Sequence, residues 1–311
     1  MLSRSLARAL VAATLLAIPS TSYAQALSGE ALLISAAELQ KQIKDPSLVL
    51  LYVGEPSPYA AGHIPGARLV DMQDFSTPRA EGALALELPD ANDLRQRLEK
   101  LGISDASRIV VIPGEDWGSP ATRIVFTLQA AGLGAHTRLL DGGSRGWKAA
   151  GYEVTTDVPA APRPGRITVA PDRSVVVDYA FMTNGLAKSG FRLVDARGPM
   201  FYEGPGMKDG RGMQHSAGHI ANAVNIPFNT LFDDNVKMMP RAELLRRFTE
   251  AGVKPGETIV AYCHIGQQAT MVLFAARLLG HPVKLYDGSM DEWEKKGGAL
   301  VNEKPGTPQQ H

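Results

Sequence analysis

The chain has 311 residues, of which 44% are hydrophobic, and it carries 32 basic and 32 acidic side chains. This balance gives no electrostatic footprint for a nucleic acid or an anionic membrane surface, so we expect no partner of either class. The length suits two domains better than one, because a single hydrophobic core stops growing at roughly 250–300 residues.

Residues 1–24 have the pattern of an export signal. Arg4 and Arg8 lie in a short basic start, an apolar run follows from Ala9 to Ile18, and small residues precede Gln25. The run has about half the length that a membrane-spanning helix needs, and no cysteine stands directly after it to carry a lipid anchor. We therefore expect residues 1–24 to be a cleaved signal peptide and the mature protein to be periplasmic. Cleavage removes two arginines and no acid, which leaves 30 basic and 32 acidic side chains and a net charge of −2.

The remaining sequence alternates continuous apolar runs with amphipathic stretches. Runs such as LVLLYV (48–53) and TIVAY (258–262) fit strands that are buried on both faces of a parallel sheet. Stretches such as ANDLRQRLEKLG (91–102) and RAELLRRFTEAG (241–252) have apolar residues at helical spacing and a terminal Gly. The pattern predicts an α/β fold in which open, mainly parallel sheets carry helices on both faces.

These elements occur twice. GHIPGA (62–67) recurs as GHIANA (218–223), and an Asp-Gly pair followed by Trp and Gly recurs at identical internal spacing from Asp141 and from Asp287. The repeat is far longer than the period of a solenoid, so it indicates two homologous domains.

We place the domain boundaries at changes in composition. The predicted N-terminal domain covers residues 27–154 and the predicted C-terminal domain covers 175–302. Between them, residues 155–174 are rich in Pro and polar side chains and are interpreted as a linker along the surface. Residues 303–311 form a tail.

The single cysteine, Cys263, directly follows the run TIVAY. CHIGQQ (263–268) is a tight loop before a helix predicted from Ala269 to Leu279. Such a loop turns its N–H groups inward at the positive end of the helix dipole, which favours a thiolate. Ligands of open α/β sheets also bind at the carboxyl ends of strands. A reactive thiol is therefore favoured over an inert core cysteine.

Two chemistries use a cysteine in such a loop. Phosphoryl transfer by a tyrosine phosphatase needs an arginine six residues after the cysteine, where this chain has Ala269. Sulfur transfer needs no such cation, because the N–H groups of the loop can stabilise the terminal sulfur of a persulfide. The residues therefore favour sulfur transfer.

The chain resembles the tandem-domain rhodaneses, sulfurtransferases of the thiosulfate and 3-mercaptopyruvate type. The resemblance rests on LVDAR (193–197), the two GHI motifs, the Cys-x-x-Gly loop and the two Asp-Gly…Trp endings. It implies two rhodanese-like domains and a ping-pong mechanism without a metal or organic cofactor. The implied substrates are a small anionic sulfur donor, with thiosulfate favoured over 3-mercaptopyruvate, and a thiol, cyanide or protein acceptor.

The resemblance also implies site residues. Cys263 is the predicted nucleophile, and the persulfide is held by the loop residues His264, Ile265, Gly266, Gln267, Gln268 and Ala269. Arg197 corresponds to a donor-binding arginine of the family, and Arg211 lies in a Gly-rich insertion that the N-terminal half lacks. Their alternative roles are a salt bridge from Arg197 to Asp195 or Glu203 and a solvated charge at Arg211.

Other polar residues receive supporting roles. We expect Asp195, His219 and Asp287 to lie behind the site, with the histidine rings of the GHI turns bonded to backbone. His215 and His219 are four residues apart, but no third ligand is evident, so no metal site is predicted.

The two halves differ at the loop. The N-terminal half has PGEDWGSP (113–120), without a cysteine, and Glu115 and Asp116 would repel an anionic donor. We therefore expect the N-terminal domain to be catalytically inactive and to form a wall of the site.

Two other interpretations of Cys263 stay open at this point. A non-catalytic periplasmic persulfide carrier that docks a partner protein would also need the cysteine. A thiol redox sensor would need it too, but the absence of a second cysteine for disulfide formation disfavours that role.

Overall fold

The computed structural model describes residues 29–78, 80–115, 118–186, 190–204, 207–208, 214–215 and 218–302. The predicted signal peptide, Arg211 and the tail lie outside the described residues. Within these ranges, no helix combines the length and the apolar character needed to cross a lipid bilayer.

The N-terminal domain is a five-stranded parallel sheet with helices on both faces. Its strands lie in the order β1-β5-β4-β2-β3. The strands are β1 (Leu33–Ile34), β2 (Leu48–Val53), β3 (Arg68–Val70), β4 (Arg108–Pro113) and β5 (Thr137–Leu140). The helices are α1 (Ala36–Gln42), α2 (Pro56–Ala61), α3 (Ala91–Lys100), α4 (Ser119–Leu128) and α5 (Gly143–Ala149).

The C-terminal domain repeats this topology with the order β10-β7-β11-β12-β6, again parallel throughout. Its strands are β6 (Val176–Val177), β7 (Phe191–Asp195), β10 (Val224–Asn225), β11 (Thr258–Tyr262) and β12 (Val283–Tyr286). A short antiparallel pair, β8 (Met207–Lys208) and β9 (Gln214–His215), lies in the Gly-rich insertion. The helices are α6 (Tyr179–Asn184), α7 (Pro199–Tyr202), α8 (Arg241–Glu250), α9 (Ala269–Leu279) and α10 (Ser289–Lys295). The predicted α/β fold with two tandem domains is confirmed.

The central strand β11 ends directly before Cys263. It lies between β7 and β12, and its side chains from Ile259 to Tyr262 are fully buried. Such a strand is apolar at every position because helices cover both faces of the sheet. Its carboxyl end delivers Cys263, and α9 begins at Ala269 and ends at Leu279, as the sequence predicts.

The two domains pack through equivalent elements. Helix α4 lies against α9, and the matched residues Thr122 and Thr270 share a hydrogen bond of 2.9 Å between their hydroxyls. One apolar cluster runs through both domains, with Ile124 and Leu128 on one side and Leu273 on the other. The interface is therefore a shared core.

The aspartates of the repeated Asp-Gly pairs bridge the domains reciprocally. Asp141 accepts a hydrogen bond from the Met238 N–H at 2.9 Å, and Asp287 accepts one from the Leu88 N–H at 2.8 Å. Only Asp287 also meets a buried cation, since its Oδ1 lies 2.6 Å from Nη1 of Arg123. Both aspartates thus accept hydrogen bonds from N–H groups across the domain interface.

Matched substitutions of the two aspartates should have unequal effects. Burial raises the pKa of Asp141 despite the hydrogen bond from Met238, so its ionised form becomes costly as the pH rises through the folded-state pKa. Asp141→Asn keeps an acceptor and removes that charge, and it should change the free energy of unfolding at pH 7 by less than about 1 kcal/mol. Asp287→Asn leaves Arg123 buried without its counter-ion and should lower this free energy by about 3 kcal/mol.

Urea unfolding of the two variants beside the wild type measures this difference. Equal losses in both variants would contradict the role given to the ion pair between Arg123 and Asp287.

Candidate active site

The loop between β11 and α9 surrounds Cys263. The cysteine side chain is fully buried, with no solvent exposure. Gly266 has a φ of +77°, and a Cβ atom at this position would lie 2.6 Å from the carbonyl oxygen of Asp287. Glycine is therefore required here by both conformation and space, which confirms the predicted tight turn.

The carbonyl groups of this loop are fixed from outside. The oxygens of Cys263 and His264 accept hydrogen bonds from the N–H groups of Met290 and Asp291, at 3.1 and 3.0 Å. These donors belong to the first turn of α10, whose N–H groups have no partner within the helix. The oxygen of Gln267 accepts from the Thr270 hydroxyl at 2.6 Å.

The N–H groups of the same loop remain available. Among the described residues, the backbone N–H groups from Ile265 to Ala269 have no hydrogen-bond partner. They lie at the N-terminus of the eleven-residue helix α9, where unpaired donors and the helix dipole favour an anion. The loop can therefore hold negative charge without a cationic side chain.

Ser289 holds the backbone of the cysteine itself. Its hydroxyl accepts a hydrogen bond from the Cys263 N–H at 3.2 Å and donates one to the Tyr286 oxygen at 2.9 Å. Ser289 has a φ of +50°, and its counterpart in the repeat is Gly143, with a φ of +51°. A serine in this left-handed conformation is strained, and here its hydroxyl satisfies a buried donor that glycine would leave unpaired.

Arg197 lies in a buried ion pair at the end of β7. Its Nη2 lies 2.6 Å from Oδ2 of Asp195 and donates to the Gly218 oxygen at 2.7 Å, and both charged side chains are at most 1% exposed. Burial opposes the guanidinium charge, but Asp195 outweighs burial, so the pKa of Arg197 lies above its ordinary value. The pair with Asp195 was the alternative role predicted for Arg197.

The pairing leaves part of the guanidinium for other contacts. Nε and Nη2 of Arg197 bond to Asp195 and Gly218, while Nη1 has no hydrogen-bond partner among the described residues. Contact of Nη1 with a donor anion stays a prediction, and Arg211 lies outside the described residues.

The histidines of both GHI turns bond to backbone as predicted. Nδ1 of His219 lies 3.0 Å from the Tyr202 oxygen, and the ring stacks on Tyr202 with the ring centroids 3.8 Å apart. His63 and Tyr59 repeat this arrangement in the other domain. Because His219 and Tyr202 are both buried, this stack fixes the turn that supplies the Gly218 oxygen to Arg197.

Two residues of the N-terminal domain reach the loop. Nη1 of Arg123 donates to the Gly266 oxygen at 3.1 Å, and Ser119 accepts a hydrogen bond of 2.9 Å from the Gln267 side chain. Neither residue was predicted from the sequence. One signal for Arg123 was available in the sequence. It is the only charged residue in TRIVFTLQAAG (122–132), and the matching position of the other copy is Met271.

The equivalent loop of the N-terminal domain lacks this chemistry. Pro113, the last residue of β4, occupies the position of Cys263 in the repeat. Glu115 pairs with Lys148 at 2.7 Å, so its charge is partly balanced within its own domain, and Asp116 lies outside the described residues. No group of three or more His, Cys, Asp or Glu side chains among the described residues is arranged to hold a metal ion.

Comparison with known proteins agrees with this architecture. The rhodanese-like domain model matches residues 35–150 and 180–296. A probable 3-mercaptopyruvate sulfurtransferase of Pseudomonas aeruginosa is 32% identical over 84% of this chain and 94% of its own length. The thiosulfate sulfurtransferase of Azotobacter vinelandii is 28% identical over 84% of this chain and 93% of its own length.

Solved structures share the fold at lower identity. The anaerobic ergothioneine biosynthesis enzyme of Chlorobium limicola, in complex with trimethyl histidine, has a TM-score of 0.74 at 21% identity and covers 88% of this chain and 71% of its own. YnjE has a TM-score of 0.77 at 20% identity and covers 88% and 69%.

The chain thus belongs to the rhodanese family, with two rhodanese-like domains in tandem. Its similarity to thiosulfate and 3-mercaptopyruvate sulfurtransferases over most of its length identifies it as a sulfurtransferase.

Two substitutions of Ser289 separate the hydroxyl from the backbone conformation. Ser289→Gly and Ser289→Ala both leave the Cys263 N–H without its partner, but only glycine adopts a φ of +50° without strain. We expect Ser289→Ala to have a lower free energy of unfolding than Ser289→Gly by about 1 kcal/mol, as measured in urea.

Ser144, which follows Gly143, provides the control. Its buried hydroxyl has no hydrogen-bond partner in the described part of the chain, so Ser144→Ala should change the free energy of unfolding by less than about 1 kcal/mol. Equal stability of the two Ser289 variants would show that the left-handed backbone is not strained.

Proposed function

We propose that Cys263 carries sulfane sulfur as a persulfide between an anionic donor, thiosulfate in the first instance, and a thiophilic acceptor. The observation that supports this proposal is the hydrogen bonding of the loop around Cys263, in which carbonyl groups are bonded and N–H groups are left unbonded within the described part of the chain. Its carbonyl oxygens at Cys263, His264, Gly266 and Gln267 are held by surrounding groups. Its N–H groups from Ile265 to Ala269 have no such partner among the described residues.

The first half-reaction transfers one sulfur atom. The Cys263 thiolate attacks the outer sulfur of thiosulfate, a new S–S bond forms, and the S–S bond of thiosulfate breaks with the electron pair leaving on sulfite. With 3-mercaptopyruvate the broken bond is C–S, and the carbon takes up a proton to give pyruvate. Neither route needs an external oxidant. The outer sulfur of thiosulfate is already at the sulfane level, whereas in 3-mercaptopyruvate the carbon keeps the electron pair of the C–S bond and is reduced as the sulfur is oxidised.

The second half-reaction regenerates the enzyme. Cyanide or a thiolate attacks the terminal sulfur of the persulfide, and the Cys263 thiolate leaves with its electron pair. Thiolate and persulfide are both anions, so the same N–H groups and the same helix end stabilise the resting and the loaded forms. These main-chain donors would stabilise both anions although the loop has the apolar side chain of Ile265 and no Lys or Arg.

Access to the sulfur requires movement at the site. Cys263 has no solvent exposure, and the half-buried His264 beside it packs edge-to-face on Phe201 with the ring centroids 4.7 Å apart. A donor therefore reaches Sγ only when neighbouring groups shift, and Phe201 on the short helix α7 is one such neighbour of the loop.

We also propose that the protein is exported to the periplasm. The support is the sequence pattern of residues 1–24, with its basic start, its short apolar run and its small residues before Gln25. Fractionation of cells that express the full chain, with the mass of the purified N-terminus, tests this proposal; a cytoplasmic protein that retains Met1–Ala24 would contradict it.

Steady-state kinetics test the proposed transfer. With thiosulfate and cyanide varied together, wild-type enzyme should form thiocyanate with parallel double-reciprocal lines, because the donor product leaves before the acceptor binds. Cys263→Ser should reduce the rate to that of the uncatalysed reaction. The same assay with 3-mercaptopyruvate compares the two donors by kcat/KM.

Glu115→Gln supplies a matched control in the equivalent loop of the N-terminal domain, and it should leave turnover unchanged. Turnover that persists in Cys263→Ser, or that is lost in Glu115→Gln, would contradict the assignment of the active loop. A protein that forms a persulfide but releases no thiocyanate over repeated turnovers would be a carrier rather than an enzyme with small substrates.

A further inference from the structure

Arg123 is a buried cation that the fold of its own domain does not explain. It lies on α4 among apolar residues and is only 1% exposed. The repeat places Met271 at the same position of α9, so an apolar side chain satisfies the packing of this helix in the other copy. Burial of a guanidinium costs several kcal/mol unless its partners compensate. The partners therefore indicate what Arg123 is for.

Two of these partners belong to the active site of the other domain. Nη1 lies 3.1 Å from the Gly266 oxygen and 2.6 Å from Oδ1 of Asp287, while Nη2 bonds to the Leu86 oxygen of its own domain. Gly266 is the turn residue of the sulfur-binding loop. Asp287 lies two residues before Ser289, which holds the Cys263 N–H. One guanidinium thus touches both segments that support the cysteine.

Because the peptide bond is planar, the contact of Arg123 with the Gly266 oxygen also determines where the next N–H group points. In a trans peptide the C=O and the following N–H point in opposite directions. The bond from Arg123 to the Gly266 oxygen therefore directs the Gln267 N–H to the opposite side of the loop. The guanidinium also packs closely against the turn, because a Cβ on Gly266 would lie 3.1 Å from Nη1 of Arg123.

We propose that Arg123 of the inactive N-terminal domain is a positioning residue for the sulfur-binding loop, so that this domain is a working part of the active site. This inference rests on the proposed persulfide chemistry at Cys263. The ion pair with Asp287 balances the charge of Arg123. Arg123 therefore contributes to sulfur binding by orienting the peptide unit between Gly266 and Gln267 and not by its charge.

The test combines a rate with a spectroscopic signal. Sulfite release in a single turnover, followed by rapid quench, reports sulfur loading. The ultraviolet absorbance of the thiolate against pH, taken as wild type minus Cys263→Ser, reports the environment of the only cysteine. Arg123→Met introduces the residue of the repeat. It should slow loading by about tenfold or more and move the thiolate titration to higher pH, since a misaligned N–H no longer stabilises the anion.

Two further variants separate position from charge and from folding. Arg123→Lys keeps the charge but cannot serve all three acceptors, and it should lie between wild type and Arg123→Met. The double variant Arg123→Met with Asp287→Asn removes the pair without a net change in charge, and it should load as slowly as Arg123→Met. Asp141→Asn, at the mirror contact away from the loop, should match the wild type.

A double variant or an Arg123→Met variant that loads sulfur at the wild-type rate, with an unshifted thiolate titration, would overturn the proposal. If Arg123→Met does not fold, sulfur loading and the thiolate titration are compared between Arg123→Lys and Asp141→Asn. An Arg123→Lys variant that matches Asp141→Asn in both would also overturn the proposal. If wild-type enzyme releases no sulfite from thiosulfate or pyruvate from 3-mercaptopyruvate, the proposed function fails, and the thiolate titration still decides the role of Arg123.

Discussion

The outward anchoring of the loop carbonyls is the constraint on which the rest of the site depends. A planar peptide cannot turn its N–H inward unless its C=O turns outward, and a buried C=O needs a donor. The first turn of α10 supplies two donors, α9 supplies the Thr270 hydroxyl, and Arg123 supplies a guanidinium. These three elements come from different parts of the chain, so the donor-rich interior of the loop is a product of the tertiary structure.

The duplication has produced two complementary domains. Where the C-terminal copy has Cys263 and Ser289, the N-terminal copy has Pro113 and Gly143; where the N-terminal copy has Arg123, the C-terminal copy has an apolar residue. The shared core and the reciprocal aspartate contacts hold the copies in one arrangement. One copy can therefore lack a thiol and still contribute a contact to the loop of the other copy.

Local features of this protein could be predicted from the sequence because local chemistry determines them. The apolar run of β11, the helix from Ala269 to Leu279 and the positive φ of Gly266 follow from residue patterns and from steric freedom. The backbone bonds of His63 and His219 follow from the short turns in which they lie, and the fold class follows from the alternation of strands and helices.

The remaining features depend on contacts between distant segments, which periodicity does not encode. Arg123 lies 143 residues before Gly266 in the chain. The sequence of its own helix does not indicate that its side chain contacts the other domain. Serine rarely adopts a left-handed φ, so the φ of +50° at Ser289 could not be predicted from the residue type. The contact of Arg197 with the Gly218 oxygen likewise joins two segments that are 21 residues apart in the chain.

In the proposed reaction, Cys263 itself carries the sulfur atom. The measurement that tests it most directly is the intact mass of the mature protein before and after thiosulfate, then after 3-mercaptopyruvate, and finally after cyanide, with Cys263→Ser treated alongside. The account predicts the gain of one sulfur atom in the wild type, its loss to cyanide as thiocyanate, and no gain in the variant. A wild-type protein that gains no sulfur from either donor, or a Cys263→Ser variant that gains it equally well, would contradict the account.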